Sequence, residues 1–315
     1  MKLKKLSVIA VLLLSLFLAA CGGGGDNEAE NSTESQQDET TEEATEETSD
    51  ETADETAEEG PKLVAGSPLQ DGTYTLKEVE FDDYGWKVEM SITVENGKIV
   101  ESNYDYVNEE GKLKSEDEDY QQAMVEKSGI GPADFIPQLN EALVEKQNPF
   151  DIEVITGATH SWEAFRNYAQ QLIQAAQKGD TSTIEIHAQA PLQDGEYSLK
   201  EINPDAHGWS MFINMTVEGG KITAVDWDYV NTEGVLKSED EGYQQAMTEK
   251  VGLGPKEFTP QLANDLIAKQ SAYDVEVITG ATSTSHKFKV YAAQLINAAQ
   301  KGDTTPIEVD NMVFE

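Results

Sequence analysis

The sequence predicts an α+β fold built twice, as two tandem copies of a small domain with an antiparallel sheet and helices, after a disordered acidic linker. Three observations carry this. Residues 68–72, Pro-Leu-Gln-Asp-Gly, return at 191–195, and the same offset of 123 carries Gly85-Trp86 onto Gly208-Trp209 without a gap. Between Tyr104–Met124 and Trp227–Met247, 17 of 21 positions are identical. Within each copy, strand-like segments come first and helix-like segments follow, the order of an α+β domain. The boundaries read from this are 1–20, 21–66, 67–188 and 189–315.

Residues 1–20 are an export signal: Lys2, Lys4 and Lys5 precede an apolar run from Leu6 to Ala20 that is too short to span a bilayer comfortably. Leu18-Ala19-Ala20-Cys21 resembles a bacterial lipobox, which implies cleavage before Cys21 and lipidation of its thiol. Cys21 is the one cysteine of the chain, so disulfides, CxxC redox pairs, c-type haem attachment and four-cysteine clusters are excluded. Between Asp26 and Gly60 there are 16 acidic residues, no basic residue and no aromatic. Such a stretch cannot bury enough apolar surface to fold, and its like charges extend it. From Cys21 to about Ser67 it reaches on the order of 150 Å when stretched. It reads as a solvated spacer. The net charge of −38 makes nucleic acid an unsuitable partner.

Each copy opens on strands: Tyr74, Leu76 and Val79, then Trp86–Val94, an Asn96-Gly97 hairpin turn, and Ile99–Val107. Gly219-Gly220 stands at that turn in the second copy. Ser115 with Glu118, and Ser238 with Glu241, fit a capping box, so the acidic run Glu116–Asp119 reads as a helix start and not as a metal site. Another helix follows Gly131-Pro132 and Gly254-Pro255, with Leu139 and Leu143, or Leu262 and Leu266, at helical spacing. A short strand is expected over Ile152–Ile155 and Val275–Ile278. The last helix carries Trp162, Phe165, Tyr168, Leu172 and Ala176 on one face, read as core, and stops at Gln-Lys-Gly-Asp. Its counterpart carries Phe288, Tyr291, Leu295 and Ala299.

Chemistry concentrates between strand and helix, in Thr156-Gly157-Ala158-Thr159-His160-Ser161 and Thr279-Gly280-Ala281-Thr282-Ser283-Thr284. Small residues permit close approach to the backbone, and free amides at a helix N-terminus bind phosphate. The same residue types also make an ordinary helix cap, and local chemistry alone favours the cap. His160 and His286 do not match across the repeat, which argues against a shared metal or proton-relay role.

The [Ser/Thr]-Gly-Ala-[Ser/Thr]-x-[Ser/Thr] element, present twice in domains of this size, resembles the FMN-binding domain family of Rnf- and Nqr-type redox complexes. The resemblance covers about residues 68–186 and 191–309. It implies FMN, up to two per chain, joined through its phosphate to a hydroxyl by a flavin transferase that uses FAD as donor. The implied attachment residues are Thr284 and Ser161, with Thr282 and Thr159 as alternatives, and Thr156, Gly157, Ala158, Thr279, Gly280 and Ala281 complete the cofactor-binding turns. Glu153 and Glu276, three residues before each motif, match an acidic position of the family and would help the transferase bind its metal and FAD. Tyr106, Tyr229, Trp86 and Trp209 are candidates to lie against the isoalloxazine ring, with core packing the favoured alternative.

The whole arrangement looks like the doubly flavinylated lipoproteins of extracellular electron transfer in Gram-positive bacteria. The expectation is an electron carrier anchored by lipid at the outer face of the cell membrane, without catalytic residues of its own. Electrons would come from a membrane NADH dehydrogenase through a quinone and pass to ferric iron or other extracellular oxidants. Release of the signal-peptide tail Leu12–Ala20 as a pheromone is a further expectation from the resemblance. A lipoprotein that binds a small ligand without redox work, or acts as a spacer, is the alternative.

Overall fold

The computed structural model describes residues 63–314. The export signal, Cys21 and the acidic segment expected as a spacer lie outside the described residues.

The chain is α+β, with one four-stranded sheet in each repeat. The elements in order are β1 (Leu63–Ala65), β2 (Gly72–Glu78), β3 (Lys87–Glu95), β4 (Lys98–Val107), α1 (Glu118–Ser128), α2 (Pro132–Lys146), α3 (Thr159–Lys178) and β5 (Ile184–Ile186). The second repeat continues with β6 (Gly195–Glu201), β7 (Trp209–Glu218), β8 (Lys221–Asn231), α4 (Glu241–Val251), α5 (Pro255–Lys269), α6 (Thr282–Lys301), β9 (Ile307–Val309) and β10 (Val313–Phe314). The sheets run β4-β3-β2-β5 and β8-β7-β6-β9.

Sheet geometry follows local sequence. Asn96 and Gly97 both take positive φ, 53° and 73°, as the two-residue turn between β3 and β4 requires. Alternation in β3 turns Val88, Met90, Ile92 and Val94 inward, each at most 3% exposed. The long helix α3 lies over this face through Phe165, Tyr168, Leu172 and Ala176, the expected aromatic and aliphatic stripe. Deleting a side chain such as Phe165 there costs about 3–5 kcal/mol. Gly179, at φ 65°, ends α3, and Gly302 ends α6 in the same way.

Three local expectations are corrected. Ile152–Ile155 and Val275–Ile278 are not strands, because the place beside β2 is taken by β5 in parallel, and that beside β6 by β9. The capping boxes are not formed by Ser115 and Ser238. Asp117 and Asp240 are the N-caps, accepting from the amides of Tyr120 and Tyr243. Ser115 sits in a preceding 3-10 turn and donates its hydroxyl to Asp105 at 2.5 Å, which removes it from the helix end. Finally, β1 lies before the boundary drawn at 66/67 and pairs antiparallel with β10, tying the two ends of the described chain together.

The repeats pack against each other through α3 and α6. Trp162 meets His286 edge-to-face with centroids 5.0 Å apart, and Glu163 pairs with Lys289. Farther along, Asn167 bonds Asn297 at 3.0 Å and Gln174 bonds Gln294 at 3.2 Å. The first turns of α3 meet the first turns of α6 and the later turns meet the later ones, so the two helices run in the same direction and their N-terminal ends lie at the same end of the pair. This explains the second, polar stripe of α3, where Glu163, Asn167 and Gln174 are buried.

Candidate functional site

Both hydroxyl-rich turns sit at that shared end. Gly157 and Gly280 have φ of 87° and 88°, a conformation that L side chains rarely adopt. A Cβ on Gly157 would also come 2.4 Å from the Ser128 carbonyl oxygen, and one on Gly280 would come 2.8 Å from Leu253 Cδ2. The glycine therefore admits the chain's own α1 or α4 terminus. The turn is held from behind by Trp162 Nε1 donating to the Ile152 carbonyl at 3.1 Å. In the second repeat Ser285 replaces Trp162, and its hydroxyl accepts from the Ile278 amide at 3.1 Å.

The ordinary helix cap expected from local chemistry is not what forms. The N-cap residues of α3 and α6 are Ala158 and Ala281, and neither helix has a side-chain cap. The first-turn amides of two 20-residue helices are left pointing outward with the positive end of the dipole. Thr159 and Thr282 stand at the first helical position and are exposed, as are Thr156 and Thr279. Ala158 and Ala281 are buried.

Ser161 and Thr284 are half-buried and already engaged. Tyr106 donates its hydroxyl to Ser161 Oγ at 3.0 Å and receives one from Tyr104 at 2.8 Å. Tyr229 stands against Thr284 at the equivalent place, and burial pushes its phenol well above the ordinary range. Burial also raises the Tyr106 phenol, to about 12, so both tyrosines are neutral bracing groups.

Behind each tyrosine lies a lysine that sequence reasoning missed. Lys114 Nζ is 4.1, 4.6 and 5.3 Å from the ring centroids of Tyr106, Tyr120 and Trp86. Lys237 is 4.2, 4.5 and 5.2 Å from Tyr229, Tyr243 and Trp209. Burial lowers both ammonium groups to about 8, against the pull of nearby carboxylates. The signal was present as Leu-Lys-Ser-Glu-Asp, repeated unchanged at 113–117 and 236–240. Tyr106, Tyr229, Trp86 and Trp209 thus offer their ring faces to a lysine inside the domain.

Glu153 and Glu276 are exposed in the loops ahead of the turns, and Glu276 lies 3.9 Å from Lys269. His160 faces Asp274 of the other repeat at 3.3 Å, whereas His286 packs on Trp162, so the two histidines remain apart in role. A cleft of about 690 Å³ over the first sheet includes Tyr106 and no turn residue. Among the described residues no cluster of His, Cys, Asp and Glu could hold a metal ion, and no helix is long and apolar enough to cross a membrane.

Set against known families, residues 83–174 and 208–297 both match the FMN-binding domain. The chain belongs to the FMN-binding domain family. It carries two FMN-binding domains, each with its uncapped turn inside the matched span. The chain is 42% identical over 118 residues to the 15 kDa lipoprotein of Treponema pallidum, a match covering 38% of this chain and 84% of that one. It is 44% identical to a Clostridium perfringens protein of known crystal structure, over 38% of this chain and 98% of that one, with a TM-score of 0.36. A Clostridium thermocellum protein solved by NMR is 27% identical over 34% of this chain and 92% of that one, with a TM-score of 0.24. The donor set of each FMN-binding domain suits a phosphate: outward amides, an exposed threonine, and no side chain in the capping place.

Proposed function

We propose that each repeat carries FMN joined through its phosphate to a hydroxyl of the turn, making the chain an electron carrier with two flavins. The observation that carries this reading is the alanine-capped helix start in both repeats, with free amides beside an exposed threonine. A spacer would have no use for two helices left uncapped in the same manner.

Within the turn, access favours Thr159 and Thr282 over the Ser161 and Thr284 that the resemblance placed first. Thr159 and Thr282 are exposed and identical between repeats, while Ser161 and Thr284 are held by Tyr106 and Tyr229. In the attachment, the threonine oxygen bonds to the flavin-side phosphorus of FAD, the phosphoanhydride breaks, AMP leaves, and the hydroxyl proton passes to a base of the transferase. The first-turn amides then offset the charge of the phosphodiester. Tyr106 and Tyr229 brace the back of the turn, and Glu153 and Glu276 stand exposed where a transferase would approach. Bound FMN supplies one- and two-electron chemistry that a chain with one cysteine cannot supply by thiols. A covalent link keeps the cofactor from being lost by dilution outside the cell.

The reading extends to the whole chain. Lipidated Cys21 anchors it at the outer face of the membrane, in keeping with the lipobox-like sequence and a relative named as a lipoprotein. The chain would accept electrons from a membrane NADH dehydrogenase and quinone chain and deliver them to ferric iron or other extracellular oxidants. Release of the signal-peptide tail as a pheromone would be a separate output, tested by adding the synthetic fragment to responsive cells.

The test is intact mass of residues 26–315 with and without an active flavin transferase. A transferase-dependent gain of two FMN units is expected. Thr159→Ala and Thr282→Ala should each remove one, and Ser161→Ala and Thr284→Ala should not. No gain, with the transferase active on another substrate, would overturn the reading.

A further inference from the structure

The two sides of the repeat interface are related by the offset of 123, and they differ at one charge. On one side Lys289 is buried, pairs with Glu163, and donates to the Tyr273 carbonyl at 3.0 Å. On the other side Arg166 takes the place of Lys289, and His286 takes the place of Glu163. Arg166 is only 2% exposed, and its Nε donates to the Pro149 carbonyl at 2.7 Å. Its guanidinium lies over Trp162 and Phe150, 4.3 and 5.4 Å from their centroids. Glu163 and Asp151 act on its charge from a distance, but it makes no direct ion pair among the described residues, and a buried guanidinium without one is costly.

Arg166 lines a cleft of about 350 Å³ between the repeats, with Trp162, Ser283, His286 and Lys287 among the other walls. Two further facts bear on what the cleft holds. His286 Nδ1 is buried there without a hydrogen-bond partner. Lys287 is already matched by Glu201, 2.9 Å away, so it does not draw on Arg166's counter-charge. Asp151 and Glu153 also line the cleft, both exposed, and Asp151 is bonded to Asn148 at 2.9 Å. Both carboxylates oppose an anion from the solvent-facing rim, where water weakens them relative to the buried guanidinium.

We infer that this cleft is a binding site for a small oxyanion, a carboxylate or phosphate, that supplies to Arg166 the negative charge which Glu163 supplies to Lys289. The guanidinium fork suits two oxygens at once, and the His286 ring lines the same cleft. Ser283 belongs to the second turn, while Val154 and Trp162 flank the first, so the cleft lies between the two turns. The site is a property of the flavin-free chain and does not require flavin to be bound.

The experiment uses the flavin-free chain in anion-poor buffer, titrated separately with inorganic phosphate and with acetate. Calorimetry reports binding, and NMR of the His286 imidazole reports location. Saturable binding at one site is expected with at least one probe, together with an upward shift of the His286 pKa. Preference between the two probes identifies the oxyanion class. Arg166→Gln should weaken binding about tenfold or more. His286→Glu builds the missing carboxylate into the chain, so it should abolish binding and raise the melting temperature; it also keeps the test decisive if Arg166→Gln fails to fold. No saturable response to either probe into the tens of millimolar would overturn the inference. So would binding that persists undiminished in His286→Glu.

Discussion

Replacing Lys289 by methionine removes one member of the buried pair that joins the two repeats. The side chains of Lys289 and Glu163 are 7% and 5% exposed, so the carboxylate left behind cannot turn to water. Breaking a buried pair by removing one partner costs about 3–5 kcal/mol at neutral pH. Removing both charges, with Glu163→Gln and Lys289→Met, leaves no uncompensated charge. The double variant should therefore lose less than the single one, and the coupling should be positive by about 1–3 kcal/mol. The pH dependence sharpens the test. Burial, partly opposed by Lys289, holds the Glu163 carboxyl above its ordinary value. Its folded pKa is thus higher than its unfolded one, so its contribution is most favourable below the unfolded value and is lost as pH rises through the folded value. Without Lys289 that folded value climbs further, and the deficit of Lys289→Met should shrink by up to about 1.4 kcal/mol for each pH unit of acidification below it. Urea unfolding followed by tryptophan fluorescence, at neutral and mildly acidic pH, measures each of these. A cost under about 0.5 kcal/mol, additive with Glu163→Gln, would mean that the pair is solvated and that the repeats are not joined there.

Other outcomes follow from the same geometry. Gly157→Ala should cost about 2–5 kcal/mol, from positive φ and a rigid carbonyl neighbour, whereas Gly280→Ala should cost less because Leu253 can yield; paired chemical denaturation compares them. The two caged lysines have folded pKa values near 8, below the unfolded value, so the folded state binds fewer protons above pH 8 and stability should rise from about pH 8 towards 10. Lys114→Met with Lys237→Met should flatten that rise in melting temperature against pH. Tyr106→Phe should loosen the first turn without removing its hydroxyls, costing about 1 kcal/mol and leaving transferase-dependent mass gain intact.

Much of this protein is written in short stretches of its sequence. The duplication, the Asn96-Gly97 hairpin, the alternation of β3, the glycine stops of α3 and α6, and the position of the two hydroxyl turns all follow from interactions within a few residues. Packing over longer distances decided the rest. Ile152–Ile155 has the composition of a strand, yet β5 occupies the edge it would need, and two segments cannot share one row of hydrogen bonds. Ser115 has the spacing of a cap, yet Asp105 on another strand captures its hydroxyl. Thr159 and Ser161 look alike in sequence, but only a tyrosine arriving from β4 engages one and leaves the other in solvent. Arg166 and Lys289 occupy equivalent places in the repeat, and only the parallel pairing of α3 with α6 reveals that one of them, Lys289, pairs directly with a carboxylate across the interface and the other does not. Local order is set by near neighbours along the chain, whereas the partner of a buried charge is set by what folding brings across the interface.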